Sequence, residues 1–219
     1  NNPTLAFNNP SGQGANLYAD LILKTGMTLS GSGGTTFHGR GSYHIDMVGQ
    51  SFPNSISFSG VGGTWVLDSG ITVGSTGTIS LNFGTLDLNG FNATCVTFSS
   101  SNSNVRGLYL RTGTLTLTGT GTVWGTPTGV NFTLDAGTST IAVTDTSSTS
   151  KTISRHTNAV FYNLTITGGG TGAVIFSNAT SSTINDLNVT GPKTLTFNRP
   201  ATYIFTGNFN VNGTAGNLV

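Results

Sequence analysis

Few residues in this chain are able to do chemistry, and they are unevenly placed. Two of its three histidines fall in one short stretch, His38-Gly39-Arg40-Gly41-Ser42-Tyr43-His44, with Asp46 close behind. In an extended segment His38, His44 and Asp46 share a parity and face one way, which offers two imidazoles and a carboxylate to a metal ion. The intervening glycines argue against so fixed a geometry, and the stretch reads instead as an irregular early coil with exposed polar aromatics. His156 beside Arg155 reads as a surface pair. The acids are seven aspartates with no glutamate, so the carboxylate pair of a glycoside hydrolase would have to be two aspartates. Asp68 and Asp87 are the candidates able to approach across adjacent repeats. The plainer reading is of solvated or turn-capping side chains. No catalytic, cofactor-binding or metal site is assigned, and the chain reads as a non-enzyme. The single cysteine, Cys95, excludes an intrachain disulfide and reads as a small apolar thiol in the strand around Val96.

Whatever these side chains do, a repeat must position them. The triplets Ile141-Ala142-Val143, Leu164-Thr165-Ile166, Leu187-Asn188-Val189 and Phe209-Asn210-Val211 begin 23, 23 and 22 residues apart. Each is apolar, small or polar, apolar, so in a strand its outer members face one way and its middle member the other. The last three run on to Gly168, Gly191 and Gly213, residues free to take positive φ and turn the chain. Earlier triplets at Trp65, Leu86, Leu108 and Phe132 keep a similar spacing. Between them lie secondary strands such as Ile71-Thr72-Val73, Ile79-Ser80-Leu81, Val96-Thr97-Phe98 and Leu115-Thr116-Leu117. A period of this length predicts an all-β fold, a β-solenoid in the form of a right-handed β-helix with coils of about 22–23 residues. A β-sandwich is the alternative that the period disfavours. Residues 1–50 read as an irregular N-terminal β region or first coils, and 51–219 as the repetitive solenoid, expected to continue beyond the chain end. Roughly nine or ten coils, each rising about 4.8 Å, make a rod of roughly 45 Å. The runs Ser99–Asn104 and Thr144–Ser150 are expected to leave the coil as surface loops.

Composition narrows the function classes. Charged residues are 7% of the chain, the net charge is +1, and 35% is hydrophobic, which is far from the charge-rich, apolar-poor composition of disorder. Without glutamate and with Thr, Val, Ile and Phe abundant, almost no helix is expected. The basic residues Lys24, Arg40, Arg106, Arg111, Lys151, Arg155, Lys193 and Arg199 are scattered, so no run neutralises a series of phosphates and nucleic acid is not an expected partner. No apolar run is long enough to insert in a membrane. Thr114-Leu115-Thr116-Leu117-Thr118 suggests the threonine ranks that bind ice, but Asn188 and Asn210 at the equivalent later positions break the rank. Six Asn-x-Ser/Thr sequences, at Asn92, Asn131, Asn163, Asn178, Asn188 and Asn212, are what so Thr- and Asn-rich a chain produces by chance.

The stretches Gly62-Gly63-Thr64-Trp65, Gly84 to Asn92, Phe98 to Ser103, Val123-Trp124, Ala136 to Ile141 and Tyr162 to Ile166 resemble a repeat-rich β-solenoid module. Such modules occur in structural proteins of tailed-phage virions (tail fibres, spikes and capsid-attached fibres) and in some bacterial adhesins. The resemblance covers roughly residues 50–219 and is more specific for fold than for function. It implies an extracellular or virion-borne rod, commonly a homotrimer, contacting a cell envelope, a host surface glycan or a neighbouring virion protein. No catalytic residue or cofactor carries over. The expected function is therefore a phage structural protein forming a rigid shaft or appendage. A bacterial adhesin or filament subunit is the alternative, and a glycan-degrading tailspike is a third reading.

Overall fold

A repeat of this length holds three short strands with a corner after each, and three walls are what the chain builds. The structure is a computed structural model and describes residues 4–6, 14–177 and 179–212. Every strand pair in it is parallel, each strand lying beside its counterpart one coil away. This excludes the sandwich: the chain is a β-solenoid of about nine coils.

The first wall runs from Ser51–Phe52 through Ile71–Val73, Ala93–Cys95, Thr114–Leu117, Thr140–Val143, Ala159–Ile166 and Ser181–Thr190 to Thr202–Phe205 and Phe209–Asn212. The second has nine strands, from Ala15–Leu17 and Thr35–Phe37 through Gly121–Gly125 and Lys151–Ser154 to Leu195–Phe197. The third has six, from Leu21–Ile22 and Ser42–Asp46 through Thr64–Leu67, Gly84–Asp87 and Arg106–Tyr109 to Phe132–Asp135. No helix occurs among the described residues, and none is long and apolar enough to cross a membrane.

The triplets predict the register of the first wall. Ile141 lies beside Leu164, Leu164 beside Leu187 and Leu187 beside Phe209. In the third wall, Leu108 pairs with Leu134 while Phe132 pairs with Arg106. The reading that aligned Phe132 with Leu108 is therefore two residues out, a slip that preserves parity and so leaves every side chain on its correct face.

Inward positions form continuous apolar columns. Ile71, Ala93, Leu115, Ile141, Leu164 and Leu187 stack inside the first wall, all buried. Inside the second, Phe37 stacks on Phe58 at 4.9 Å, Phe98 meets Trp124 at 4.9 Å and Phe176 stacks on Phe197 at 4.8 Å. Each such side chain contributes roughly 1.5–3 kcal/mol by leaving water.

After Asp135 the third wall has no further strand among the described residues. The first-wall strands lengthen instead, to Ala159–Ile166 and Ser181–Thr190, and the first half of the latter pairs with Thr202–Phe205 while its second half pairs with Phe209–Asn212.

Corners carry the turn chemistry. Asn89 and Gly90 both have positive φ (51° and 84°), and Phe91 N–H bonds back to Leu88 O at 2.8 Å, as in a type I′ turn. Gly191 has φ 96°, as expected for a turning glycine. Gly168 has a different reason, because a Cβ there would overlap the Asp145 carbonyl one coil below. Gly213 lies outside the described residues. The run Ser99–Asn104 is no free loop: Ser100 is buried, and Asn102 and Asn104 donate to Leu81 O and Asn82 O. Thr144–Ser150 does leave the coil, and Lys151 ties it down by donating to Ser147 O at 2.7 Å and pairing with Asp145.

Candidate functional site

The outer face of the third wall gathers most of the charge. Asp20 lies beside His44 through the pairing of Leu21 with Ile45, and five of the seven aspartates, Asp20, Asp46, Asp68, Asp87 and Asp135, lie along this wall and its closing corner. Three of them cap corners. Asp46, Asp87 and Asp135 each accept the N–H two residues on, from Val48, Asn89 and Gly137, at 2.9–3.1 Å. This is the Asx turn expected of short polar side chains at a corner.

Arg111 is the hub. Its Nη2 donates to Asp87 Oδ2 at 2.8 Å, its Nε to Asp87 Oδ1 at 3.1 Å and its Nη1 to Asp135 Oδ2 at 3.4 Å, while its guanidinium lies 5.0 Å from the centre of the Tyr109 ring. Burial alone would raise the pKa of Asp87, but the Arg111 hydrogen bond, the Asn89 N–H and the Arg111 charge outweigh it and hold the carboxyl below its ordinary range. A carboxylate held ionised is a poor general acid. The Asp68–Asp87 pair does not form a shared site. Asp68 engages His44 Nδ1 at 2.9 Å, Asp87 engages Arg111, and in the register Asp87 lies beside Val66. The Asp68 hydrogen bond and charge raise the pKa of His44.

His38, His44 and Asp46 do not converge. His38 follows a second-wall strand and stacks on Tyr18 at 5.4 Å, whereas His44 and Asp46 share a third-wall strand. Among the described residues no three side chains of His, Cys, Asp or Glu are placed to hold a metal ion. Cys95 faces the core, where burial pushes its thiol up to about 12.

Arg155 and His156 correct the expectation of a surface pair, since both are buried. Arg155 donates to Ser182 Oγ and lies 4.7 Å from the Tyr203 ring and 5.3 Å from Phe176. His156 meets Thr126 Oγ1 at 3.3 Å, and burial pushes its pKa down. Arg106, Lys151 and Lys193 are buried as well. Arg106 spends its donors on Ser100 Oγ and on the carbonyls of Ser100, Asn104, Thr128 and Val130 at 2.7–3.0 Å, so it fastens one corner to the next coil. With four cations inside and every aspartate at least partly exposed, seven carboxylates face four cations at the surface. Such an exterior is poorly suited to a phosphate backbone.

The strand alternation carried a signal for these buried cations. Arg106 shares parity with the inward Leu108 and Leu110, Lys151 and Arg155 with Ile153, and Lys193 with Leu195 and Phe197.

On the outer face of the first wall, Thr72, Thr94 and Thr116 stand in one column before Ala142 interrupts it. Thr165, Asn188 and Asn210 follow, and Asn210 Nδ2 donates to Asn188 Oδ1 at 2.9 Å. The rank is not kept, as the sequence predicts, but its first break is at Ala142 rather than Asn188, and it reaches further toward the N-terminus than that reading followed.

No protein-family model, characterised protein or solved structure matches this chain.

One concavity lies among the charges of the third wall. Thr85, Gly107 and Thr133 stand side by side on three successive coils, and Asp87, Tyr109 and Asp135 form the parallel column two residues further along. The hollow measures about 190 Å³ and is lined by Thr85, Arg106, Gly107, Tyr109 and Thr133, with Val105 and the glycines Gly62, Gly63 and Gly84 around it.

Proposed function

We propose that this chain is a rigid structural segment of a bacteriophage virion protein, a fibre or spike shaft or a capsid-attached appendage that contacts the host surface or a neighbouring virion protein. The observation that carries this reading is the in-register stack itself. About nine coils share one apolar interior, and the side chains able to do chemistry are engaged in fastening corners: Asp46, Asp87 and Asp135 as caps, Arg106 and Lys151 as ties. A scaffold of this kind transmits position over a distance, and the homotrimer that the resemblance implies would set such rods side by side.

The test is to locate the full-length protein by electron microscopy of the particles or cells that carry it, with an antibody against this segment. Label on a phage fibre, spike or capsid appendage supports the reading. Label on a cell-attached filament overturns it in favour of an adhesin or filament subunit. Release of reducing sugar from host polysaccharide would replace it with a glycan-degrading spike.

A further inference from the structure

The hollow on the third wall brings three unpaired hydroxyls together around one concavity. The hydroxyls of Thr85, Thr133 and Tyr109 have no hydrogen-bond partner among the described residues, whereas the neighbouring Asp87, Asp135 and Arg111 are engaged with one another. Position 107 in its lining is a buried glycine, and a Cβ built there would sit 3.2 Å from Thr85 Oγ1 and 3.4 Å from Tyr109 Cε1, so a larger side chain at 107 would displace the two groups that border the hollow. Backbone strain does not require the glycine, as Gly107 is not among the residues with positive φ.

Arg111 adds a second observation. It has φ 56° two residues after Tyr109, at the corner position where the neighbouring coils carry Asn89 (φ 51°) and Gly137 (φ 51°). Asparagine and glycine tolerate that conformation, and a long side chain there is unusual. Here it places the guanidinium against the Tyr109 ring and between two carboxylates.

We infer that this hollow binds one uncharged sugar ring of a surface glycan. Its volume of about 190 Å³ suits a single ring rather than a larger ligand. Tyr109 supplies an aromatic surface for the C–H edges of the ring and a free hydroxyl for its oxygens, Thr85 and Thr133 supply two more hydroxyls, and the exposed Val105 supplies an apolar border. Arg106, the one charged residue in the lining, is buried with its donors spent on Ser100 and on the carbonyls of Asn104, Thr128 and Val130, and Arg111 beside the hollow is engaged by Asp87 and Asp135, so no free cation awaits an acidic sugar. The inference rests on the reading of the rod as a surface-contacting element and names the chemistry of that contact.

Saturation-transfer NMR on the full chain with the methyl glycosides of glucose, galactose, mannose, rhamnose and N-acetylglucosamine tests it, with methyl glucuronide as the acidic probe. At least one neutral glycoside should bind and shift the Tyr109 ring resonances. Gly107→Val should weaken that binding about tenfold or more, and Thr133→Val several-fold, the latter at an unchanged melting temperature. Thr133 is exposed, so its variant carries the test if Gly107→Val does not fold. The inference is overturned if none of the five binds, if binding stays within about twofold in the folded variants, or if glucuronide binds as tightly as the neutral sugars. A shaft that only spaces other parts needs no sugar site, so that failure leaves the microscopy result on the virion reading untouched.

Discussion

The coils up to Asp135 and those after Thr140 solve the same problem differently. In the first region three walls close each coil, spacings stay near 22 residues at pairs such as Ile45–Leu67, Ile71–Ala93 and Leu86–Leu108, and the interior is aliphatic and aromatic apart from Arg106. Toward the second region the spacing between second-wall neighbours stretches, from Phe98 to Trp124 and from Trp124 to Ile153. Cations line that interior: Lys151, Arg155 and Lys193, with Arg106 reaching forward from the first region to the carbonyls of Thr128 and Val130. Longer excursions leave backbone carbonyls without a strand to accept from, and a long cationic side chain reaches them where a leucine does not. A regular coil satisfies its backbone with itself, and an irregular one recruits side chains to do so.

The largest expected effect tests whether the second region still depends on its apolar columns. Leu164→Asp or Leu187→Asp, each burying an unpaired charge, should cost about 3–5 kcal/mol or more and unfold several coils, seen as a lost or strongly lowered thermal transition. A wild-type melting temperature would place the stability of that region elsewhere.

Next come the cations. Arg106→Met strands four carbonyls and should cost roughly 2–4 kcal/mol by denaturant unfolding. Lys151→Met leaves Asp145 partly buried without its partner and should cost about 1–3 kcal/mol, part of which Asp145→Asn in the same chain restores. If both methionine variants are neutral, the contrast between the regions is one of appearance only.

Smaller still is Arg111→Gly. It relieves a left-handed backbone worth about 1 kcal/mol and loses a half-exposed ion pair worth about 0.2–1 kcal/mol, so stability should change little. The Asp87 carboxyl, held low by Arg111, should titrate higher in this variant. Its contribution in the parent is present above the ordinary carboxylate range and lost as pH falls through the folded value.

The smallest effect is at His44. Its folded pKa is raised, so its pairing with Asp68 is present below 6.5 and lost as pH rises through the folded value. Its NMR titration midpoint should lie above 6.5 and return toward it in Asp68→Asn, with no measurable change in melting temperature.

Much of this was legible in the sequence because strand parity is a local property. The triplets at Ile141, Leu164, Leu187 and Phe209 fixed one wall's register, whereas Cys95 is inward because it ends the first-wall strand Ala93–Cys95, with Val96 at the corner after it rather than in a strand around it. Arg155 and His156 were misread because charge was weighed ahead of parity, although Arg155 alternates with Ile153. Phe132 was placed opposite Leu108 because two apolar residues of one parity are interchangeable in a pattern, and only the corner length distinguishes them. The hollow at Gly107 was beyond the sequence, since Thr85, Gly107 and Thr133 are separated by whole coils and become neighbours only through the register.

All the strand pairing runs coil to coil, so the hydrogen bonds of this rod lie along its length. Tension between its ends would therefore load those bonds directly, coil after coil. Each coil that yields frees about 22 residues, some 70 Å of extended chain, in place of the roughly 4.8 Å it spanned when stacked. A shaft built this way resists small forces as a stiff body and answers a sudden pull by paying out line one coil at a time.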